Sequence, residues 1–268
     1  MAITRTPSAS LADCELSFVD RAPIDPARAR AQHADYCAAL RAAGAEVVVL
    51  PPLDDLPDAA FVEDTAVVVD EMAVLAVPGV PSRSAETEAI APVLAAYRPV
   101  HRLSTVGGTL EGGDVLRVGR TLYVGRSTRT NEIAVAGLRD LLEPRGYRIV
   151  VVPVNGCLHL KTACTQVGRG TVLLNPAWVD GSAFESEGLR ILNVDPEEPW
   201  AGNTLLVGET LLVPAGNPAT LGRLHRIGLR PREVGISEFL KAEAGLTCLA
   251  ILIPALTSRA GNSTERLP

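Results

Sequence analysis

A thiol at Cys248, an imidazole at His159 and carboxylates at Asp58, Glu63, Asp64, Glu111 and Asp114 are the parts of a nucleophilic centre that acts on a cationic carbon. In such a centre the thiol attacks, the imidazole moves protons, and an acid orients the imidazole. Further carboxylates suit a substrate that is itself positive, because a guanidinium buried without counter-charges costs several kcal/mol. A bound cation also favours thiolate over thiol at Cys248. These residues are spread over four short segments far apart in the chain.

Taken singly, each segment has a plainer reading. The adjacent acids of Asp58-Ala59-Ala60-Phe61-Val62-Glu63-Asp64-Thr65 suit a solvated loop ahead of an apolar strand. In Leu110-Glu111-Gly112-Gly113-Asp114-Val115-Leu116 two acids flank a Gly-Gly, which permits close backbone approach or simply a turn. Acids repel phosphate, and no Lys-Ser or Lys-Thr follows, so this is no phosphate loop. In Cys157-Leu158-His159-Leu160-Lys161-Thr162-Ala163-Cys164, a strand would place Cys157, His159 and Lys161 on one face. His159 alone reads as a hydrogen-bonded core residue, and Cys157, His159 and Cys164 as a zinc site of unfamiliar spacing. Cys248 alone reads as a small hydrophobe. What favours chemistry is that the thiol, the imidazole and the acids sit in different copies of one repeat.

The repeat is a hairpin phrase. Val118-Gly119-Arg120-Thr121-Leu122-Tyr123-Val124 returns as Val167-Gly168-Arg169-Gly170-Thr171-Val172-Leu173 and as Val207-Gly208-Glu209-Thr210-Leu211-Leu212-Val213. A looser copy runs from Ala66 to Leu75, and a last apolar stretch, Leu246 to Ile253, contains Cys248. Glycine supplies the positive φ that a two-residue hairpin needs. A polar group precedes each copy: Asp64, Asp114, Cys164, Asn203 and Cys248. Repeats spaced by about 40 to 50 residues indicate a propeller, solenoid or array, and closure around an axis would make these polar groups converge.

Between the hairpins lie single helices and extra strands. Asp25 to Ala43 reads as a helix, with Asp25 able to cap and Pro26 suited to the first turn. The strand Glu46–Leu50 follows, then the Ala66–Val77 hairpin, a helix from Ala85 to Tyr97 and the Asp114–Val124 hairpin. A helix from Thr130 to Leu142, with Thr130 as its cap, precedes the strand Arg148–Val154. The pattern is an α/β chain of about five ββαβ-like units. The polar tail from Ser258 is expected to fray.

A chain of 268 residues that is 47% hydrophobic can bury a large core, and the repeat leaves no linker, so residues 1–268 are expected to form a single domain. The net charge of −6 and the lack of a basic block argue against nucleic acid and fit a small or cationic ligand. With no apolar run of about 18 residues no membrane span is expected, and without an apolar h-region in Met1–Ser10 no signal peptide. Five cysteines, an odd number, read as reduced thiols of a cytoplasmic protein.

From about Leu16 to about Ile253 the chain resembles the guanidine-modifying superfamily, and within it the dimethylarginine dimethylaminohydrolases. The carriers are Phe61-Val62-Glu63-Asp64-Thr65, Glu111-Gly112-Gly113-Asp114-Val115-Leu116, Ser127-Thr128-Arg129-Thr130-Asn131, His159-Leu160-Lys161-Thr162 and Leu246-Thr247-Cys248. The compact length favours that branch over the longer arginine deiminases and amidinotransferases. The resemblance implies a five-bladed β/α propeller (pentein) around a pseudo-fivefold axis, and hydrolysis of a methylated arginine to citrulline and an alkylamine through a covalent thiouronium. No metal or organic cofactor is implied, and the partner is a small cationic amino acid bound by a monomer or homodimer. Cys248 is implied as nucleophile, His159 as general acid and base, and Glu111, or else Asp114, as the acid that orients His159. Glu63 and Asp64 would hold the guanidinium, Arg83 and Arg129 the α-carboxylate, and Asp58 with the carbonyl of Leu16 the α-amino group; Ala242 would also touch substrate. Glu243 replaces a shorter acid of some relatives, so the wall near the leaving group is expected to differ. Competing readings are the same thiol chemistry on arginine or citrulline, a metal-binding protein, and a non-catalytic propeller.

Overall fold

The computed structural model describes residues 1–103 and 105–255; the tail from Ser258 lies outside the described residues. The chain begins with β1 (Ala2–Arg5), crosses over through the helix Pro26–Ala42, and returns as β2 (Val47–Leu50), parallel to β1. The ββαβ unit then runs four times. β3 (Ala66–Val68) and β4 (Ala73–Leu75) form a hairpin, the helix Ser84–Ala95 crosses over, and β5 (Val100–Arg102) lies parallel to β4. β6 (Val115–Val118), β7 (Thr121–Arg126) and β8 (Arg148–Pro153) repeat this around the helix Glu132–Leu142. β9 (Cys164–Gly168), β10 (Thr171–Leu174) and β11 (Arg190–Asn193) form the next unit, and β12 (Leu205–Val207), β13 (Thr210–Pro214) and β14 (Arg232–Val234) the one after. β15 (Ile251–Leu252) pairs antiparallel with β1. The result is five three-stranded sheets, the last shared between both ends of the chain. These are the blades of an α/β propeller.

Local chemistry explains the elements. Asp25 caps the first helix by accepting the N–H groups of Ala27 and Arg28. The helix expected from Thr130 is capped one residue later, by Asn131, whose side chain accepts the Ala134 N–H; the Thr130 hydroxyl instead accepts the Glu111 N–H. The hairpin glycines Gly119 and Gly208 have φ of 61° and 58°, the region glycine reaches without a Cβ penalty.

Five apolar clusters fill the molecule, one in each seam between neighbouring blades. Val67 and Val74 meet Val115, Leu122 and Leu138 in one seam, and Ile3 and Ile251 meet Leu75 and Ile90 in another. The Tyr123, Leu116 and Phe184 cluster, the Val167, Leu211 and Leu224 cluster, and the Tyr36, Leu212 and Ala2 cluster complete the ring. Each crossover helix covers a seam, so the apolar groups are buried outside the axis and the axis is left to polar ones.

One tight helical turn precedes each inner strand: Val62–Thr65, Gly112–Asp114, Leu160–Ala163, Pro199–Gly202 and Thr247–Leu249. Two expectations are corrected here. His159 is the residue before a helical turn and not part of a strand, so Cys157, His159 and Lys161 do not share a strand face. Cys248 lies in a turn before the strand and not within it. The turns crowd one another. A Cβ on Gly112 would run into the carbonyl of Glu63 and lie 2.7 Å from that of Ala66, and one on Gly202 would lie 2.5 Å from the carbonyl of Ala163.

Gly112→Ala is therefore expected to destabilise the protein by about 3 kcal/mol or more, the upper end of overpacking, because backbone cannot yield as a side chain can. Gly222→Ala, in the helix Pro218–Arg226 with nothing within 4 Å of the new methyl, should stabilise by about 0.4–1 kcal/mol. Urea denaturation of both variants checks the contrast.

Candidate active site

The axial turns are tied together in order around the ring. Asp64 Oδ1 accepts the Gly113 N–H at 3.1 Å, and Asp114 Oδ1 accepts the Leu160 N–H at 2.9 Å. Thr165 Oγ1 accepts the Thr204 N–H at 3.1 Å, and Asn203 Oδ1 accepts the Thr247 N–H at 2.9 Å. The Thr247 hydroxyl donates to Glu63 Oε2 at 2.6 Å, which returns to the first turn. Buried N–H groups need partners, and at four of the five seams an acceptor on one blade takes an N–H of the next. The polar residue ahead of the repeat is this clamp in the first, second and fourth copies; in the third Cys164 is wholly buried and Thr165 does the work, and in the last the Thr247 hydroxyl rather than Cys248 closes the ring.

Residues in or next to three of the five turns, with the loops beside them, surround a cavity of about 20 Å³ lined by Cys248, His159, Asp64, Asp58, Phe61, Arg83, Arg129, Leu158, Glu15, Ala242, Glu243 and Ala244. Glu111 sits behind His159, fully buried, with its Oε2 2.6 Å from Nε2. Asp64 Oδ1 is 3.8 Å from Nδ1 on the other side of the ring. The two acids of the Gly-Gly motif thus divide: Glu111 meets the imidazole, while Asp114 holds the Leu160 N–H and the Ser127 hydroxyl. Gly113 must lack a side chain, since a Cβ there would lie 2.6 Å from both Asp64 Oδ1 and His159 Nδ1.

Electrostatics follows from this packing. Burial pulls the His159 pKa down, but the charge of Asp64, the hydrogen bond to Glu111 and the charges of Asp114 and Glu111 together lift it to about 9. Burial likewise raises Glu111, yet the bond to and charge of His159, with Arg83 and Arg129, bring it down to about 2. The pair is an imidazolium–carboxylate at neutral pH. Burial, then the charges of Glu63 and Asp64, push the Cys248 thiol up to about 12. At neutral pH the Cys248 thiol is uncharged, and it lines the same small cavity as the protonated imidazole.

Two buried arginines complete the cavity. Arg83 donates through Nη1 to Asp64 Oδ2 at 2.8 Å and through Nη2 to Glu86 Oε2 at 2.9 Å, with Nε also on Glu86. Arg129 donates to Glu111 Oε1 at 3.4 Å and to the Ser17 hydroxyl at 3.2 Å. Asp58 accepts the Glu15 N–H, and Glu243 accepts the N–H groups of Ser17 and Phe18. Residues 15–18 are thus fastened against the cavity. Leu16 itself packs on an apolar cluster next to Glu15.

Glu63 departs from expectation. Its carboxylate meets Lys161 and Thr247 and lines a separate cavity of about 540 Å³ formed by the inner strands. Consecutive residues of a turn with three residues per revolution point about 120° apart. Asp64 faces the small cavity and Glu63 therefore faces the large one, as Cys248 and Thr247 do in their turn. Of the two acids only Asp64 lines the small cavity. Among the described residues the metal-binding geometry is Asp64, Glu111 and His159, with donor atoms within 4.8 Å of one another. Cys157 bonds to the His159 carbonyl and is not gathered with Cys164 and the imidazole into a zinc site.

Sequence reading missed Glu86, whose signal was its position three residues after Arg83 at a helix start, and Ser17, which carried none; Ser127 was read only as part of the Ser127-Thr128-Arg129-Thr130-Asn131 motif, with no role. Among the described residues no helix is long and apolar enough to cross a membrane.

The family model for eukaryotic N,N dimethylarginine dimethylhydrolase matches residues 17–181. The N(G),N(G)-dimethylarginine dimethylaminohydrolase of Streptomyces coelicolor is 40% identical over 255 residues, covering 95% of this chain and 97% of that protein. That of Pseudomonas aeruginosa is 34% identical, covering 93% and 97%. A crystal structure of dimethylarginine dimethylaminohydrolase as an adduct with S-methyl-L-thiocitrulline superposes with a TM-score of 0.88 at 33% identity, over 93% of this chain and 98% of the other. The Pseudomonas aeruginosa protein complexed with citrulline gives a TM-score of 0.86, over 93% and 97%. The N-terminal domain of a cyanobacterial arginine dihydrolase, at 20% identity and a TM-score of 0.82, covering 93% and 96%, shares the fold.

A group raised from 6.5 to about 9 stabilises the fold fully below pH 6.5, and that stability is lost as pH rises through 9. Histidine ring NMR is expected to show His159 titrating near 9, apart from His33, which burial lowers to about 4. Glu111→Gln should bring the His159 midpoint down toward the ordinary imidazole value; an unmoved midpoint would mean that Asp64 alone sets it.

Proposed function

The chain belongs to the dimethylarginine dimethylaminohydrolase family, and from that premise we propose that it hydrolyses asymmetrically dimethylated and monomethylated L-arginine to L-citrulline and dimethylamine or methylamine. The observation that carries this reading is one small cavity bounded by a thiol, a carboxylate-paired imidazolium, a buried aspartate and two arginines. We assign it to the cytoplasm, where the five free thiols stay reduced, and take 1–268 as one domain.

Substrate entry exchanges partners. Arg83 and Asp64 neutralise each other at 2.8 Å. An arginine derivative carries both charges, so its guanidinium takes Asp64 while its α-carboxylate takes Arg83 and Arg129. Each buried charge keeps a counter-charge throughout, which avoids the several kcal/mol of an unpaired ion. Asp58 then receives the α-amino group, with the carbonyl of Leu16 beside it. A cavity of about 20 Å³ holds about one water, so residues 15–18 must release from Glu243 and Asp58 to admit substrate.

The docked cation activates the thiol. A unit charge about 4 Å away is worth roughly 4 kcal/mol at an effective dielectric of 20, about a thousandfold more thiolate. The bound guanidinium raises the share of Cys248 present as thiolate, the released proton passing to solvent, and the thiolate sulfur attacks the guanidinium carbon. His159, protonated at rest, gives its proton to the alkylated nitrogen, the C–N bond breaks, and dimethylamine leaves. Now neutral, His159 takes a proton from water as the water attacks the thiouronium carbon. The tetrahedral adduct expels the sulfur, releasing citrulline. One water is consumed and one C–N bond is cleaved.

Citrulline and dimethylamine are expected in equal amounts from asymmetric dimethylarginine, with none from Cys248→Ser. Parallel assays with monomethylarginine, arginine and citrulline define the substrate; ammonia from arginine or citrulline, with dimethylarginine inert, would overturn the assignment while keeping the thiol chemistry. In Arg129→Ala, loss of a charged hydrogen bond should raise KM for dimethylarginine roughly 10- to 100-fold, with a simple alkylguanidine little affected. Equal losses on both would show that Arg129 does not read the carboxylate.

A further inference from the structure

Asn203 is the axial clamp of the fourth blade, and its neutral amide donates through one atom and accepts through another. It is buried at 4% exposure and does not line the small cavity. Its Oδ1 accepts the Thr247 N–H at 2.9 Å and its Nδ2 donates to the Thr247 hydroxyl at 3.2 Å. The opposite end of the same turn lies against the amide: a Cβ on Gly245 would be 2.5 Å from Asn203 Oδ1 and 2.6 Å from Nδ2. Gly245 in turn directs its N–H at the Cys248 sulfur, 3.4 Å away. Asn203 follows Gly202, whose backbone packs so closely on the Ala163 carbonyl that a Cβ there would lie 2.5 Å from it.

We propose that Asn203 is a positioning residue for the nucleophile, fixing the turn Gly245–Cys248 so that the Gly245 N–H points at the sulfur. The proposal rests on the assignment of Cys248 as nucleophile. An amide suits the task better than the carboxylates that clamp the first two blades. It satisfies both the N–H and the hydroxyl of Thr247, which frees that hydroxyl's proton for Glu63 Oε2. It does so without adding a charge near the thiol, which Glu63 and Asp64 already disfavour as thiolate. The chain of contacts runs from Asn203 through Thr247 to Glu63 and Lys161, so the nucleophile's turn is held from the fourth blade and from the first.

The test combines steady-state kinetics on asymmetric dimethylarginine with the pH dependence of Cys248 alkylation by iodoacetamide, followed by mass spectrometry. In Asn203→Ala, kcat should fall roughly 100-fold, the scale of a displacement of about 1 Å, with KM little changed. The alkylation midpoint should move to higher pH, because the thiolate loses the Gly245 N–H. Thr247→Val should shift both in the same direction by less, and Thr247→Ser, which keeps the hydroxyl, should restore both. A folded Asn203→Ala protein with parental kcat and alkylation profile would overturn the proposal, as would Thr247→Ser behaving like Thr247→Val. Should Asn203→Ala fail to fold, the Thr247 pair decides. Alkylation needs no substrate, so it reads the role of Asn203 even if methylarginines prove inert.

Discussion

Five backbone turns meet around one axis, close enough that buried N–H groups pointing inward need acceptors on a neighbouring turn. Asp64, Asp114, Thr165 and Asn203 supply those acceptors at four of the five seams, and the Thr247 hydroxyl bond to Glu63 closes the fifth. The same closeness forces glycine at positions 112, 113, 202 and 245. Catalytic geometry is a by-product of this closure. Gly113 is held by Asp64, which sets Glu111; Leu160 is held by Asp114, which sets His159; Thr247 is held by Asn203, which sets Cys248. A site assembled from residues 48 to 184 positions apart is rigid because its parts are neighbours in a ring.

Charge balance is the second constraint, and it governs when the site reacts. The cavity concentrates acids around a thiol, which suppresses the thiolate, and around an imidazole, which keeps it protonated. Both are the wrong state for a freely reactive cysteine. Under the proposed function they become the right states when a guanidinium enters, because the cation would favour thiolate at sulfur and leave the proton on His159 for the departing amine. Such a centre spares bystanders and is switched on by its own substrate.

Much of this was legible in the sequence because the fold is repetitive. Three copies of the Val-Gly hairpin phrase announced the inner and middle strands, and the first three crossover helices followed from caps and apolar spacing, while Ser182–Glu185 and Pro218–Arg226 were not read. The polar residue ahead of each hairpin marked the axis, and the order of motifs led to Cys248, His159 and Glu111. What escaped lies at the scale of single turns. A period-two reading of Cys157 to Lys161 took a helical turn for a strand, since four residues carry too little periodicity to separate the two. Glu63 and Asp64 look equivalent as letters, but a turn of three residues per revolution sends them to opposite cavities. Contacts between distant loops, such as Glu243 with Ser17 and Phe18, leave no pattern in either segment.

Glu243 shows how a local rule can be broken to good effect. It has φ of 59° without being glycine, a conformation that costs of order 1–3 kcal/mol. Its side chain is held by two consecutive backbone N–H groups of residues 17 and 18 at 2.8 and 3.1 Å, and its neighbours Ala242 and Ala244 line the catalytic cavity. Charge-assisted bonds of this kind are worth about 1.5–3 kcal/mol each, so two of them more than offset the backbone strain. The strain nevertheless weakens the fastening of residues 15–18 and lowers what a bound amino acid must supply to release it. A glycine here would relieve the strain and lose the fastening, leaving the cavity open to water and the imidazolium–thiol pair exposed before substrate arrives.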